Sequence, residues 1–90
     1  MLKVVLSTQF KKDLKIAEKR GYNKDKLIAI VNQLAEEKPL DEKFRDHSLK
    51  GKYARFRECH IEPDWLLIYR IDADILQLYL FRTGSHSDLF

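Results

Sequence analysis

Hydrophobic positions recur along this chain first at helical spacing and then at strand spacing, and the change of period falls near residue 44. A short β-branched apolar run, Lys3–Leu6, predicts an opening strand. Ser7 and Thr8 follow, and either hydroxyl can accept from the free N–H groups of a first helical turn. Phe10, Leu14 and Ala17 then share one helical stripe, with Lys11, Lys12, Lys15, Glu18 and Lys19 on the opposite side. Gly21 can take the left-handed conformation that ends a helix. Asn23 can cap a second helix, whose stripe is Leu27, Ile30, Val31, Leu34 and Ala35. Pro39 is expected to stop it, because the residue before a proline is driven out of the α region. Two amphipathic helices joined by a short link predict an antiparallel helical hairpin.

Asp41 to Lys52 is polar and reads as mostly irregular, with Phe44 and Leu49 as anchors and Gly51 as a turn. Beyond it the period becomes two. Tyr53 to Ile61, Trp65 to Ile71 and Ile75 to Arg82 read as strands, separated by turns at Pro63-Asp64 and Asp72-Ala73-Asp74. Turns this short predict an antiparallel meander. Strand, helix, helix and three strands make an α+β layer, with helices on one face of the sheet and the other face free. Alternation puts Leu76, Leu78 and Leu80 toward the helices, with Ile75, Gln77, Tyr79 and Phe81 opposite. Phe56, Glu58 and His60 share one face of their strand, with Arg55, Arg57 and Cys59 on the other. Strict parity would place Arg82 among the leucines, so a bulge or turn before Gly84 is expected if Arg82 is to work. With no repeat, linker or low-complexity segment, residues 1–90 are expected to form a single domain.

Composition sharpens this only where it is uneven. The net charge is +3, yet Lys43, Arg45, Lys50, Lys52, Arg55 and Arg57 crowd one segment against a single acid, Asp46. The excess of positive charge is therefore local, as a solvated face or a polyanion-binding surface would have it. One cysteine, Cys59, excludes an intrachain disulfide. The first apolar run is too short for a signal peptide, and no stretch approaches the ~20 apolar residues of a membrane-spanning helix. A cytoplasmic protein with no membrane partner is the expectation.

All three histidines, His47, His60 and His86, come after residue 46, each at or near a strand end or turn. Cleaving RNA without a metal requires a base for the 2′-OH, an acid for the 5′ oxygen and a fixed cation for the phosphorane. Histidine suits the first two roles and arginine the third. Taken singly, His47 reads as a loop residue, His60 as a strand residue and His86 as a tail residue. Together with Asp64 and Arg82 they make a set for phosphodiester chemistry. His60, Asp64 and His86 also amount to three N/O metal ligands, but they span a strand end and a turn, and no second cysteine joins them. Neither metal nor cofactor is expected. Trp65 and Phe90 are candidate stacking surfaces for an unpaired base.

Three blocks then resemble the YafQ branch of the RelE/ParE toxin superfamily. They are Asp46-His47-Ser48-Leu49-Lys50-Gly51, Arg57 through Pro63-Asp64-Trp65 to Tyr69, and Arg82-Thr83-Gly84-Ser85-His86 to Phe90. The resemblance covers the whole chain and implies a RelE-like fold. It implies a toxin of a type II toxin–antitoxin module: an endoribonuclease cutting mRNA in the ribosomal A site, against 16S rRNA, and neutralised by a cognate antitoxin. It makes His86 the general acid, gives His47, His60 and Asp64 base and orienting roles, and puts Arg82 on the scissile phosphate. Trp65 and Phe90 would position the nucleotide, and Lys50, Lys52, Arg55 and Arg57 would meet RNA phosphates. The histidine set argues against the gyrase-poisoning ParE-like members. The rival expectation is a non-catalytic protein of this fold that inhibits its target by occupancy.

Overall fold

A computed structural model describes residues 1–90. β1 (Lys3–Leu6), α1 (Thr8–Lys19) and α2 (Lys24–Ala35) fall where the apolar stripes place them. Ser7 forms the first cap: its Oγ accepts from the Phe10 N–H at 2.8 Å and donates to the Phe81 carbonyl at 2.6 Å. That second bond fixes the start of α1 against the last strand. Asn23 caps α2 by accepting from the Asp25 N–H at 2.9 Å.

Both helices close in the same way. Behind α1 the Gly21 and Tyr22 amides bond back to Glu18 and Ala17, with Gly21 at φ 78°. Behind α2 the Glu37 and Lys38 amides bond back to Leu34 and Gln33, with Glu37 at φ 59°. Each is the paired-bond termination built around a left-handed residue. Helix α2 thus ends at Ala35, ahead of the stop expected at Pro39. A backbone turn centred on a non-glycine residue satisfies the last carbonyls before the proline is reached.

The sheet has five strands in the order β1-β5-β4-β3-β2, with β1 parallel to β5 and the other pairs antiparallel. β2 is only His47–Ser48, inside the segment expected to be irregular. β3 covers Arg57–Glu62 and starts later than expected, because Gly51–Tyr53 winds into a 3₁₀ turn. β4 is Trp65–Asp72 and β5 is Gln77–Gly84. Leu76 does not join Leu78 and Leu80 against the helices. It turns left-handed at φ 51° behind the Ala73–Ile75 turn and stands 62% exposed. The free turn, not the strand, claims that leucine.

One face of the sheet meets the helices. Phe10, Leu27, Ile30 and Leu34 pack there on Cys59, Trp65, Leu67, Tyr69, Leu78 and Leu80. Each fully buried aliphatic of this kind contributes roughly 1.5–3 kcal/mol of transfer free energy. No helix covers the opposite face. A β-bulge orders its far end: Tyr69 pairs with Leu80 but Ile68 pairs with Arg82, so Phe81 is an extra residue in β5. After the bulge Arg82 shares a row with Ile68, Glu58 and His47 on the open face. The parity conflict at Arg82 is resolved by this one inserted residue.

Candidate active site

The open face gathers the three histidines into a chain. The His47 and His60 rings lie 6.4 Å apart between centroids, and His60 and His86 lie 5.6 Å apart. Each ring is anchored through Nδ1 by a different acceptor. His47 Nδ1 donates to the Arg45 carbonyl at 2.7 Å, and His60 Nδ1 to the Pro63 carbonyl at 3.3 Å. His86 Nδ1 donates to Asp64 Oδ1 at 2.6 Å. Carbonyls and carboxylates only accept, so each Nδ1 carries its proton and each Nε2 is left for other business.

Glu58 occupies the space between two of them. Its Oε2 stands 3.2 Å from His47 Nε2 and 3.8 Å from His60 Nε2, and the residue is only 6% exposed. A nearly buried carboxylate in that position offsets positive charge on either ring. Glu58 was not among the candidate residues. Its parity with His60, two positions on in the same strand, was the available signal.

His86 owes its place to the chain end. Ser85 caps the short helix α3 (His86–Leu89): its Oγ accepts from the Asp88 N–H, and Asp88 Oδ2 accepts from the Ser85 N–H at 2.9 Å. Arg20 of α1 grips the same Asp88 through two bonds of 2.5 and 3.1 Å. The Arg20 guanidinium and the Ser85 amide hold the Asp88 carboxyl far below the usual carboxylate range. Gly84 lets the chain pass close to Asp88, because a Cβ on it would stand 3.0 Å from Asp88 Cβ and Oδ2 and press that side chain aside. Asp64, in the turn between β3 and β4, receives both the His86 N–H at 2.9 Å and Nδ1–H. These bonds lower its pKa and fix the imidazole by backbone and ring together.

Arg82 is held by α1. Its Nε and Nη2 donate to Asp13 at 3.0 and 2.8 Å, leaving Nη1 free. Asp13 is buried, which pushes its carboxyl up. Bonds from Arg82, Gln9 and the Thr83 N–H more than offset this, so its pKa lies below the ordinary value. Arg82 in turn is raised by Asp13. The arginine is fixed by its partner before any ligand arrives.

A family model for the bacterial YafQ toxin of type II toxin–antitoxin systems matches residues 2–90. The chain belongs to the YafQ toxin family. An mRNA interferase toxin YafQ from Escherichia coli K12 is 39% identical over 85 residues, covering 93% of this chain and 90% of that protein. A metal-bound toxin from Helicobacter pylori has 49% identity, full coverage of both chains and a TM-score of 0.95. The YafQ of an E. coli DinJ–YafQ complex has 36% identity, coverage of 100% and 99% and a TM-score of 0.91.

Within this YafQ fold the expected site residues do not all arrive in one place. His47, His60, Asp64 and His86 form one connected group, and Arg82 ends the row that starts at His47. Phe90 is exposed beside them and meets Tyr53 edge-on at 6.2 Å. Lys50, Lys52 and Arg55 are exposed on the loop leading into β3, as phosphate contacts require.

Two assignments are corrected. Trp65 is not a stacking surface: it is 1% exposed, packed on Tyr22, and its Nε1 donates to Thr83 Oγ1 at 2.9 Å. It shares the core parity of Leu67 and Tyr69, so the sheet turns it inward. Arg57 pairs with Tyr69 in register and so faces the helix side, where it binds Asp46 at 3.2 Å and Ser48 Oγ at 2.9 Å. It is spent on holding the loop before β2. No three His, Cys, Asp or Glu side chains group in metal-holding geometry in this arrangement.

Proposed function

We propose that this YafQ-family toxin is an mRNA interferase that cleaves by 2′-OH attack at the histidine chain, on ribosome-bound mRNA in the A site, and is neutralised by a cognate antitoxin. The observation that carries this reading is the anchoring of all three Nδ1 atoms, which presents three Nε2 atoms, two of them beside one buried carboxylate. The base is His60 or His47, assisted by Glu58: its Nε2 takes the 2′-OH proton as the oxygen attacks phosphorus. His86 Nε2 gives its proton to the departing 5′ oxygen, and Asp64 is its orienting partner. The products are a 2′,3′-cyclic phosphate and a 5′-OH. Arg82 places Nη1 against the equatorial oxygens, where charge grows in the transition state. Lys50, Lys52 and Arg55 carry the strand's phosphates, which makes binding salt-sensitive. Phe90 stacks on a base. The named relatives support the interferase activity, and the DinJ–YafQ complex of E. coli supports the antitoxin.

The test is induced expression with 5′-end mapping, for the parent, His86→Ala and Arg82→Ala. New transcript ends and arrest in the parent, both lost in His86→Ala, are expected. Arrest without new ends would favour inhibition by occupancy. Purified protein on naked RNA, with and without ribosomes and with and without EDTA, separates ribosome dependence and metal dependence.

A further inference from the structure

A second concavity opens on the other side of His60. It encloses about 530 Å³ between α2, the Glu42–Phe44 turn and the end of β3, and His60 is part of its lining. His60 thus borders both the histidine chain and this concavity. Ala29, Ile30, Ile61 and Pro63 give it an apolar wall. Two cations stand at it without carboxylate partners: Lys43, over the Phe44 ring at 5.2 Å, and Arg45. Arg45 is held left-handed at φ 51°, and its carbonyl is the one that anchors His47. The rim cation and the site histidine are thus parts of one rigid turn. Also in the lining, Glu62 pairs with Lys26 through Oε1 at 2.9 Å and keeps Oε2 for another donor, and Gln33, whose Nε2 donates to the Pro39 carbonyl, adds an amide oxygen.

We propose that this cavity is a nucleotide subsite: it takes the base of a residue adjoining the cleaved bond, and Lys43 and Arg45 take that residue's phosphate. The inference rests on RNA cleavage at the histidine chain. Apolar walls suit the flat face of a base, and a free carboxylate oxygen with an amide suits the amino and imino donors on its edge. The ligand class is a single-stranded nucleotide whose base presents N–H groups. Cations and acceptors in one lining match the phosphate and the base edge of such a residue. An acidic segment of a protein partner matches Lys43 and Arg45 but leaves Glu62 Oε2 without a donor. The subsite gives the toxin a means of preferring one base near the cut, a property the histidines and Arg82 have no way to supply.

The experiment is an NMR titration with trinucleotides blocked by 2′-O-methyl groups, one for each base at the position beside the would-be cut. Signals of Ala29, Gln33 and Ile61 are expected to shift, most strongly for one base. Ala29→Trp, on the exposed side of α2, fills the cavity without disturbing the core. It is expected to weaken binding by about tenfold, the loss of one stacked base. Lys43→Ala is expected to weaken all four probes alike. Cleavage-site mapping for Ala29→Trp should then show cuts with a flattened base preference. Shifts confined to the histidine face, with Ala29→Trp binding like the parent, overturn the subsite and leave the nuclease reading intact. Cavity signals that respond to an acidic peptide and to no trinucleotide overturn it in favour of a protein contact. A parent protein that produces no cut ends refutes the nuclease reading itself, whatever the cavity binds.

Discussion

Asp13→Ala tests whether the framework behind the site is held as described. The Asp13 side chain is 4% exposed and accepts from Gln9, from two nitrogens of Arg82 and from the buried Thr83 N–H. Removing it strands a buried amide and a guanidinium. Breaking a buried charge pair costs about 3–5 kcal/mol. Arg82 is 29% exposed and rehydrates in part, which brings the expected loss to roughly 2–3 kcal/mol. In a domain of this size each kcal/mol moves the melting temperature by about 4–8 °C, so a fall of roughly 8–24 °C is expected. Urea denaturation followed by circular dichroism measures it directly. A loss under about 1 kcal/mol, beside a normal fold, would refute the claim that Asp13 carries Arg82. The pH arm has a fixed sign. The native pKa of Asp13 is depressed, so its stabilisation is fully present above the unfolded value near 3.9 and is lost as pH falls through the native value. Asp13→Asn should therefore lose stability at neutral pH and show a flatter acid limb below about pH 4.

Three shorter predictions follow from other contacts. Arg20→Ala should free the terminal turn: amide exchange at 85–90 rises and the cleavage rate falls, Arg20→Lys recovers part of the rate, and unchanged exchange would count against the clamp on Asp88. Gly84→Ala should displace Asp88 and lower both the melting temperature and the activity, with a crystal structure or chemical shifts showing α3 moved; a wild-type melting temperature would contradict the 3.0 Å contact. Cys59 is fully buried, and burial pushes its thiol up to about 12, so a thiol reagent at pH 8 should react only as fast as the protein unfolds.

What could be read in advance follows from the range of each interaction. The helices were legible because their stripes and caps lie within a few residues of one another: Leu27 to Ala35 after Asn23, Phe10 to Ala17 after Ser7. The α+β order followed from the same periods. β2 was not legible, because two residues display no period; only the partner strand turns His47–Ser48 into a strand. Leu76 and Trp65 were misplaced for related reasons. Leucine in a turn looks like leucine in a strand, and the type of an aromatic does not say which face it takes, whereas Trp65's parity with Leu67 did. Of the candidate residues, His47, His60, Asp64 and His86 are brought together by the fold, but Glu58, which sits between two of them, was passed over. The pairs Asp13–Arg82 and Arg20–Asp88 join residues 69 and 68 positions apart, and no local pattern announces them. The arginine's side of the sheet could be posed as a question from parity, and only the register answered it.

The extra residue at Phe81 has an implication for how this sequence can change. The side of the sheet that Arg82 and Thr83 take follows from a count of residues along β5. Substitutions along β5 exchange one side chain for another and leave that count alone. Deleting Phe81 would join Leu80 to Arg82 and keep Arg82 opposite Ile68, whereas adding one residue there without enlarging the bulge would send Arg82 to the helix side and put Thr83 on the open one, with no residue chemically altered. In this part of the protein, length is therefore under a stricter constraint than letter. Variants that swap Phe81 for another aromatic should pass a functional screen, and single-residue insertions from Leu80 to Arg82 should be absent from its survivors.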